Sequence, residues 1–304
     1  MSPEHCYYVT PAGSSRQQVE AWSGYPLQFA GQRRFGWQDD MAADLRAALG
    51  QLAITPGEAL AGMYLSTDES RCDVENRLFT NPGSSCFPPG KVSAIRFERG
   101  TGPPPAPPVP VARTADHLYY YRYQVGGIWQ WWKPGEVLAR WRRVPRRIPD
   151  DGSARPVWHA MKQAAASGQV EARATALDAI TPFGIRVTVH ATARGPRSAP
   201  AISESLIDGI VAAFHDGDSR TPAIAALLAT RLPGTSPQEL EALAKTGSPV
   251  ALFGGSAFVV QGPYLQISPC DERCYAGDVA ISADAVGQYP EISGELFTLR
   301  RIGA

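Results

Sequence analysis

Residues 117–147 read HLYYYRYQVGGIWQWWKPGEVLARWRRVPRR. The stretch holds four tyrosines, four of the chain's seven tryptophans and a run of arginines. Residues 119–125 and 128–133 have strand-forming composition and flank Gly126-Gly127, the signature of a two-residue β-hairpin. A type I′ turn needs positive φ at both central residues, which glycine supplies at no steric cost. Such a turn sets Val125 against Ile128, Tyr123 against Gln130 and Arg122 against Trp131. One face then carries Tyr119, Tyr121, Tyr123, Val125, Ile128 and Trp132, and is expected in the core. The other carries Tyr120, Arg122, Gln124, Trp129, Trp131 and Lys133, with cations opposite aromatic rings. That face is either a braced solvent surface, each cation–ring contact contributing roughly 0.5–1 kcal/mol, or a platform that stacks bases while its cations hold phosphates.

Charge sharpens the second option. Residues 113–147 contain eight Lys/Arg against Asp116 and Glu136, although the whole chain, with 29 basic and 29 acidic residues, has no formal net charge. The rest of the chain is therefore net negative by six. A nucleic acid, another polyanion, an acidic protein surface or the protein's own acidic part would each complement this segment. The nucleic-acid-binding set expected from this reading is Tyr120, Arg122, Trp129, Trp131 and Lys133, with Arg140, Arg142, Arg143, Arg146 and Arg147 contacting phosphates. A protein–protein interaction module is the alternative, because Trp, Tyr and Arg are the usual interface anchors.

At 304 residues, with 44% hydrophobic and 19% charged residues, the chain buries a real core. Its start, MSPEHCYYVTPAG, has no basic region followed by an apolar run, and no stretch is long and apolar enough for a membrane span. Five cysteines without a secretory leader fit a reducing compartment, so a cytoplasmic protein is expected, and the Ala, Gly, Pro and Arg usage has a bacterial look.

The expected fold class is α+β, a mixed or antiparallel sheet with several short helices. Met41, Leu45, Leu49 and Leu52 at helical spacing predict a helix over 39–52, followed by strands at 59–66 and 92–99. The proline-rich segment 100–112 reads as a long connection inside one sheet. Residues 136–144 are ambiguous, with helical spacing at Val137, Trp141 and Val144 between Pro134 and Pro145. Helices are expected at 156–167, 204–215 (capped by Ser203), 222–232 and 237–245, a strand at 185–191, and further strands from 250 to the end. An N-terminal region 1–147, with the hairpin at 117–133, and a C-terminal region 148–304 form two domains or one compact unit. The parallel between 60–79 and 185–214 suggests a duplicated strand-helix unit.

Chemistry has two candidate seats. Asp68, Glu69, Asp73 and Glu75 cluster just beyond a strand, and carboxylates at i and i+2 can hold a Mg²⁺ or Mn²⁺ ion whose waters complete the octahedron. The plainer alternative is that Asp73 caps a helix N-terminus. A divalent-metal nuclease would use Asp73 and Glu75 as ligands, with Asp208 or Asp216 completing the catalytic set. Cys72, Cys86, Cys270 and Cys274 could form a zinc site, a disulfide or buried free thiols. Of the five histidines none sits in a catalytic signature; His190 on the outward side of a strand and His215 in an acidic turn stand out, and a general acid/base role for either requires a partner within hydrogen-bond reach.

Asp73-Val-Glu75-Asn76 after a strand resembles the acid-x-acid-Asn step of RusA-type Holliday junction resolvases. Leu206-Ile-Asp208-Gly, with His215-Asp216-Gly-Asp218 following, resembles the same family's Asp-Gly helix and acidic loop. The resemblance covers about a tenth of the chain, places Glu75 where the family usually has Asp, and splits its two pieces by ~130 residues. It implies metal-dependent cleavage of branched DNA.

Overall fold

A computed structural model describes residues 5–303 apart from 34, 69–71, 89, 114–115, 150, 174, 194, 196–197, 217–219, 246–250, 263 and 268. Glu69 and Asp218 thus lie outside the described residues. The fold is α+β. Among the described residues ten strands form one mixed sheet in the order β1-β2-β5-β3-β4-β11-β8-β12-β6-β7. They are β1 Tyr7–Val9, β2 Gln18–Ser23, β3 Leu60–Ser66, β4 Ala94–Arg99, β5 Tyr119–Val125, β6 Trp132–Pro145, β7 Val170–Ala172, β8 Phe183–His190, β11 Cys274–Ser282 and β12 Glu291–Arg301. β9 (Phe258–Gln261) and β10 (Tyr264–Ile267) make a separate ribbon.

The sheet is pseudo-symmetric about its antiparallel β4–β11 seam. Outward from the seam, each half has a parallel neighbour (β3 or β8), then an antiparallel strand (β5 or β12), then β2 or β6, then the edge strand β1 or β7. Two like units joined across a two-fold axis must meet antiparallel, which is the geometry of the seam. The duplicated unit legible in the sequence is thus realised: β3 leads to a π-helical turn at Asn76–Thr80, and β8 to α3, Ser203–Ala213.

Helices cover one face of the sheet. In α1 (Trp37–Leu49), Met41, Leu45 and Leu49 are fully buried, and the acidic Asp39 and Asp40 sit in the first turn where they complement the helix dipole. α2 (Arg155–Ala166) packs on α3 at Gly209, where an added Cβ would meet the Ala154 carbonyl oxygen at 2.5 Å. α4 (Thr221–Ala229) and α5 (Pro237–Lys245) pack on each other, each with a proline in its first turn as expected.

The hairpin expected at 117–133 does not form. β5 bonds β2 and β3, while β6 bonds β12 and β7, so the two strands belong to different halves. Only Gly126 has a left-handed φ, +67°, whereas a type I′ turn requires two. Gly127 instead lies against Ala61, with no room for a side chain, and the chain leaves the sheet to cross to the other half. The alternation along β5 holds: Tyr119, Tyr121, Tyr123 and Val125 join the main core, and Tyr120 joins a smaller cluster on the opposite face with Trp22, Met63, Leu65, Val111 and Leu118. Ile128, expected in the core, is 72% exposed because the register that would have buried it is absent.

Residues 136–144 are strand, not helix, since β12 supplies a partner along nearly the whole of β6. The proline-rich 100–112 connects β4 to β5 of the same sheet, as expected, and its Pro105 carbonyl accepts the Trp22 indole N–H at 2.9 Å. Among the described residues no helix is long and apolar enough to cross a membrane.

Candidate metal centre

Three segments far apart in sequence bring carboxylates together: the start of the turn after β3, the middle of α3, and the 3-10 turn Asp271–Arg273 before β11. One oxygen from each of Asp73, Asp208 and Asp271 lies within 4.8 Å of the others. Asp73 does cap its turn, accepting the Asn76 N–H at 3.0 Å on Oδ1, and the Asn76 side-chain amide also donates to it. The capping and ligand roles are compatible because a carboxylate has about four lone-pair positions.

Glu75 is 2% exposed and accepts the Ser203 hydroxyl; Thr80 donates to it from 3.5 Å. Ser203, expected to cap α3, makes no cap; its hydroxyl reaches across to the other half's turn. Glu204, one helical turn before Asp208, lines with it an open cleft of about 270 Å³, together with Ser153, Arg155 and Gln266.

The electrostatics are those of a crowded anionic pocket. Burial raises the pKa of Asp73 well above its usual value, and the neighbouring Asp271 adds to this. Glu75 is pushed up by burial and by Asp73, against the opposing Ser203 hydrogen bond. Asp208 rises through burial and then Asp73, Glu204 and Glu75. Asp271 is raised to about 7, chiefly by burial. Burial likewise lifts the Cys274 thiol, with Asp73 and Asp271 next in weight. Two ionised carboxylates about 4–5 Å apart repel by about 3–4 kcal/mol at an effective dielectric constant of ~20, so the group holds protons or a cation.

Of the sequence-predicted catalytic set, Asp73, Glu75 and Asp208 are drawn together and Asp216 is not. Asp216 is exposed and acts electrostatically on the buried Lys162 of α2. Asp271 was missed because Cys270-Asp-Glu-Arg-Cys274 draws the eye to its cysteines. The cysteines form no disulfide, Cys86 is tied to the Pro82 and Ala42 carbonyls, and among the described residues no cysteine joins a group able to hold a metal ion. Among the described residues the metal-competent group is the aspartate trio.

The aromatic and basic set is largely turned inward. Tyr120 is buried and bonds Glu20. The Arg122 guanidinium lies 3.6 Å from the Met63 sulfur, and the Trp131 indole N–H 3.3 Å from the same atom. Trp129 donates to the Phe97 carbonyl, with the Arg96 and Arg186 guanidinium carbons 5.8 and 5.7 Å from its ring centroid. Arg140 pairs with Glu295, and Arg143 with Glu291 and Asp284. Arg146 donates its backbone N–H to the Pro290 carbonyl. Lys133, Arg142 and Arg147 are exposed. The basic segment is thus matched substantially by acidic residues of the chain's own C-terminal part.

Comparison with family models, curated proteins and solved structures finds no match.

Proposed function

We propose that the protein is a divalent-cation-dependent, nuclease-like hydrolase. The observation that carries this reading is the convergence of Asp73, Asp208 and Asp271 within 4.8 Å beside an open cleft. Each aspartate would give one oxygen to a Mg²⁺ or Mn²⁺ ion, and waters would complete its shell. The ion would polarise a phosphoryl oxygen and make a bound water acidic enough to attack near neutral pH. Glu75, held by the Ser203 and Thr80 hydroxyls, would add negative charge beside Asp73 and Asp208 and so favour a bound cation, and Glu204 at the cleft would be the carboxylate suited to accept a proton from the attacking water.

Calorimetric titration with Mn²⁺ tests the site, and incubation with linear and branched DNA tests the activity. The expected result is saturable binding and metal-dependent cleavage, both lost in Asp73→Asn and Asp271→Asn. Absence of Mn²⁺ binding at millimolar metal overturns the proposal.

A second reading, polyanion binding, is supported by the exposed Lys133, Arg142 and Arg147. It predicts DNA or RNA binding at ~50 mM salt that weakens with added salt and with Arg142→Ala.

A further inference from the structure

The sheet face opposite the helices holds a second constellation, independent of the carboxylate cluster. His190 lies on the same face of β8 as Arg186, and Ser293 on the same face of β12 as Glu295. His190 Nδ1 is 2.7 Å from Asp284 Oδ1, and His190 Nε2 is 2.9 Å from Ser293 Oγ. We propose that Ser293, His190 and Asp284 form a nucleophile–base–orienter triad that cleaves small acyl esters.

The connectivity decides the tautomer. Asp284 can only accept, so Nδ1 carries the proton, which leaves Nε2 free to accept from the serine hydroxyl. Asp284 is itself held from the other side, its Oδ2 accepting the Arg143 guanidinium at 2.8 Å. The serine oxygen accepts the Arg143 backbone N–H at 3.0 Å, which directs its own proton toward the imidazole.

The backbone around the serine is irregular in the way such sites often are. Between Val144↔Ile292 and Trp141↔Gly294, β6 contributes Arg142 and Arg143 against the single Ser293 of β12, a β-bulge. Arg143 has φ +49°, the left-handed region that a non-glycine residue rarely occupies. The bulge is what aims the Arg143 N–H at the serine oxygen. His190, 9% exposed, is shielded, whereas Asp284 stands at the surface and the site opens to solvent.

In the reaction, Ser293 Oγ adds to the ester carbonyl carbon and its proton passes to His190 Nε2. The bond from the carbonyl carbon to the alcohol oxygen breaks, and the departing alcohol takes the proton from His190. Water then repeats the sequence and releases the carboxylic acid, restoring the serine. Arg143 faces both Asp284 and Glu291, so these three side chains together carry one net negative charge. An uncharged or cationic ester is therefore the suited substrate class.

The test is covalent labelling of the intact chain with a fluorophosphonate, followed by peptide mass spectrometry. The expected result is a phosphonyl adduct on Ser293, formed with loss of fluoride. Its rate of formation is expected to drop by about 10²–10⁴-fold in His190→Gln, the usual contribution of a general base, and to fall in Asp284→Asn, with thermal melting showing that both variants are folded. No adduct at Ser293 under conditions that label a standard serine esterase, or an unchanged rate in folded His190→Gln, overturns the proposal.

Discussion

Arg96 donates its Nε–H to Asp278 at 2.6 Å, directly across the β4–β11 seam where the two halves of the sheet meet. The other oxygen of Asp278 takes Arg186 at 3.4 Å, and Arg186 continues to Glu295, which also holds Arg140. The seam is thus crossed by a ladder of alternating charge on the open face. Both side chains of the first pair retain some exposure, which limits its strength. A double-mutant cycle with Arg96→Ala and Asp278→Ala is expected to give a coupling of about 1 kcal/mol in urea unfolding. A coupling near zero would mean that the seam is held by the backbone ladder and the core alone.

In the proposed reading the carboxylate centre trades stability for cation binding. Asp208→Asn removes one of several crowded charges, so the cation-free protein is expected to gain about 1–2 kcal/mol. The same variant should no longer be stabilised by Mn²⁺. Thermal melts with and without the ion measure both effects, and a destabilised Asp208→Asn would contradict the repulsion described for the cluster.

The pH dependence follows from the direction of the shifts. Asp271 keeps its proton in the folded chain up to about 7, whereas the unfolded chain releases it near 3.8. The contribution of this group is therefore complete below pH about 4 and is lost as pH rises to about 7. Asp73, Glu75 and Asp208 are raised in the same direction and reinforce the loss. Cation-free protein is expected to melt at progressively lower temperature over this window. Mn²⁺ should restore the loss mostly above pH 7, where the ligands are deprotonated.

Lys162 offers a separate test. It is 4% exposed on α2, and burial lowers its pKa to about 8 from the usual 10.5, with Asp216 opposing the shift. Between these values the unfolded chain holds a proton that the folded chain has released, so stability climbs as pH rises from about 8 to about 10.5. Lys162→Met is expected to stabilise the protein at pH 7 by up to about 3 kcal/mol. That gain should shrink toward zero above pH 10.5 in denaturant titrations at the two pH values.

Gly209 fixes the position of the α3 carboxylates. A Cβ there would stand 2.5 Å from the Ala154 carbonyl oxygen and 2.6 Å from the Val157 Cβ. Gly209→Ala must push α2 and α3 apart, at about 1–3 kcal/mol in urea unfolding. Because Asp208 is the adjacent residue, the displacement should also weaken Mn²⁺ binding. Unchanged stability would show that the helix pair yields without cost.

Much of the fold is legible locally. The apolar spacing of α1, the proline starts of α4 and α5, and the alternation of β5 and β8 each depend on residues within a few positions of one another, and each appears in the structure close to its expected bounds. The misreadings have a common origin. Gly126-Gly127 satisfies the composition of a hairpin turn, but β5 found its partners in β2 and β3, and β6 in β12, far along the chain (Pro145 pairs with Glu291, Trp132 with Arg301). Composition describes the demand for a partner strand and not which strand meets it. The arginines of β6 read as a polyanion surface because Glu295, Glu291 and Asp284 lie far away in sequence, though within hydrogen-bond reach in space.

The sequence by itself determined the α+β class and the split of the tyrosine run between two faces, suggested a duplicated strand-helix unit, and singled out Asp73, Glu75, Asp208 and Asp216. Only the tertiary structure decided that Asp271 completes the trio, that Asp216 stands elsewhere, and that His190 has Asp284 and Ser293 on its two nitrogens. The physical reason is range. Secondary structure and side-chain facing follow from backbone geometry over a few residues, whereas a site assembled from residues 73, 208 and 271 exists only once the seam between the two halves has closed.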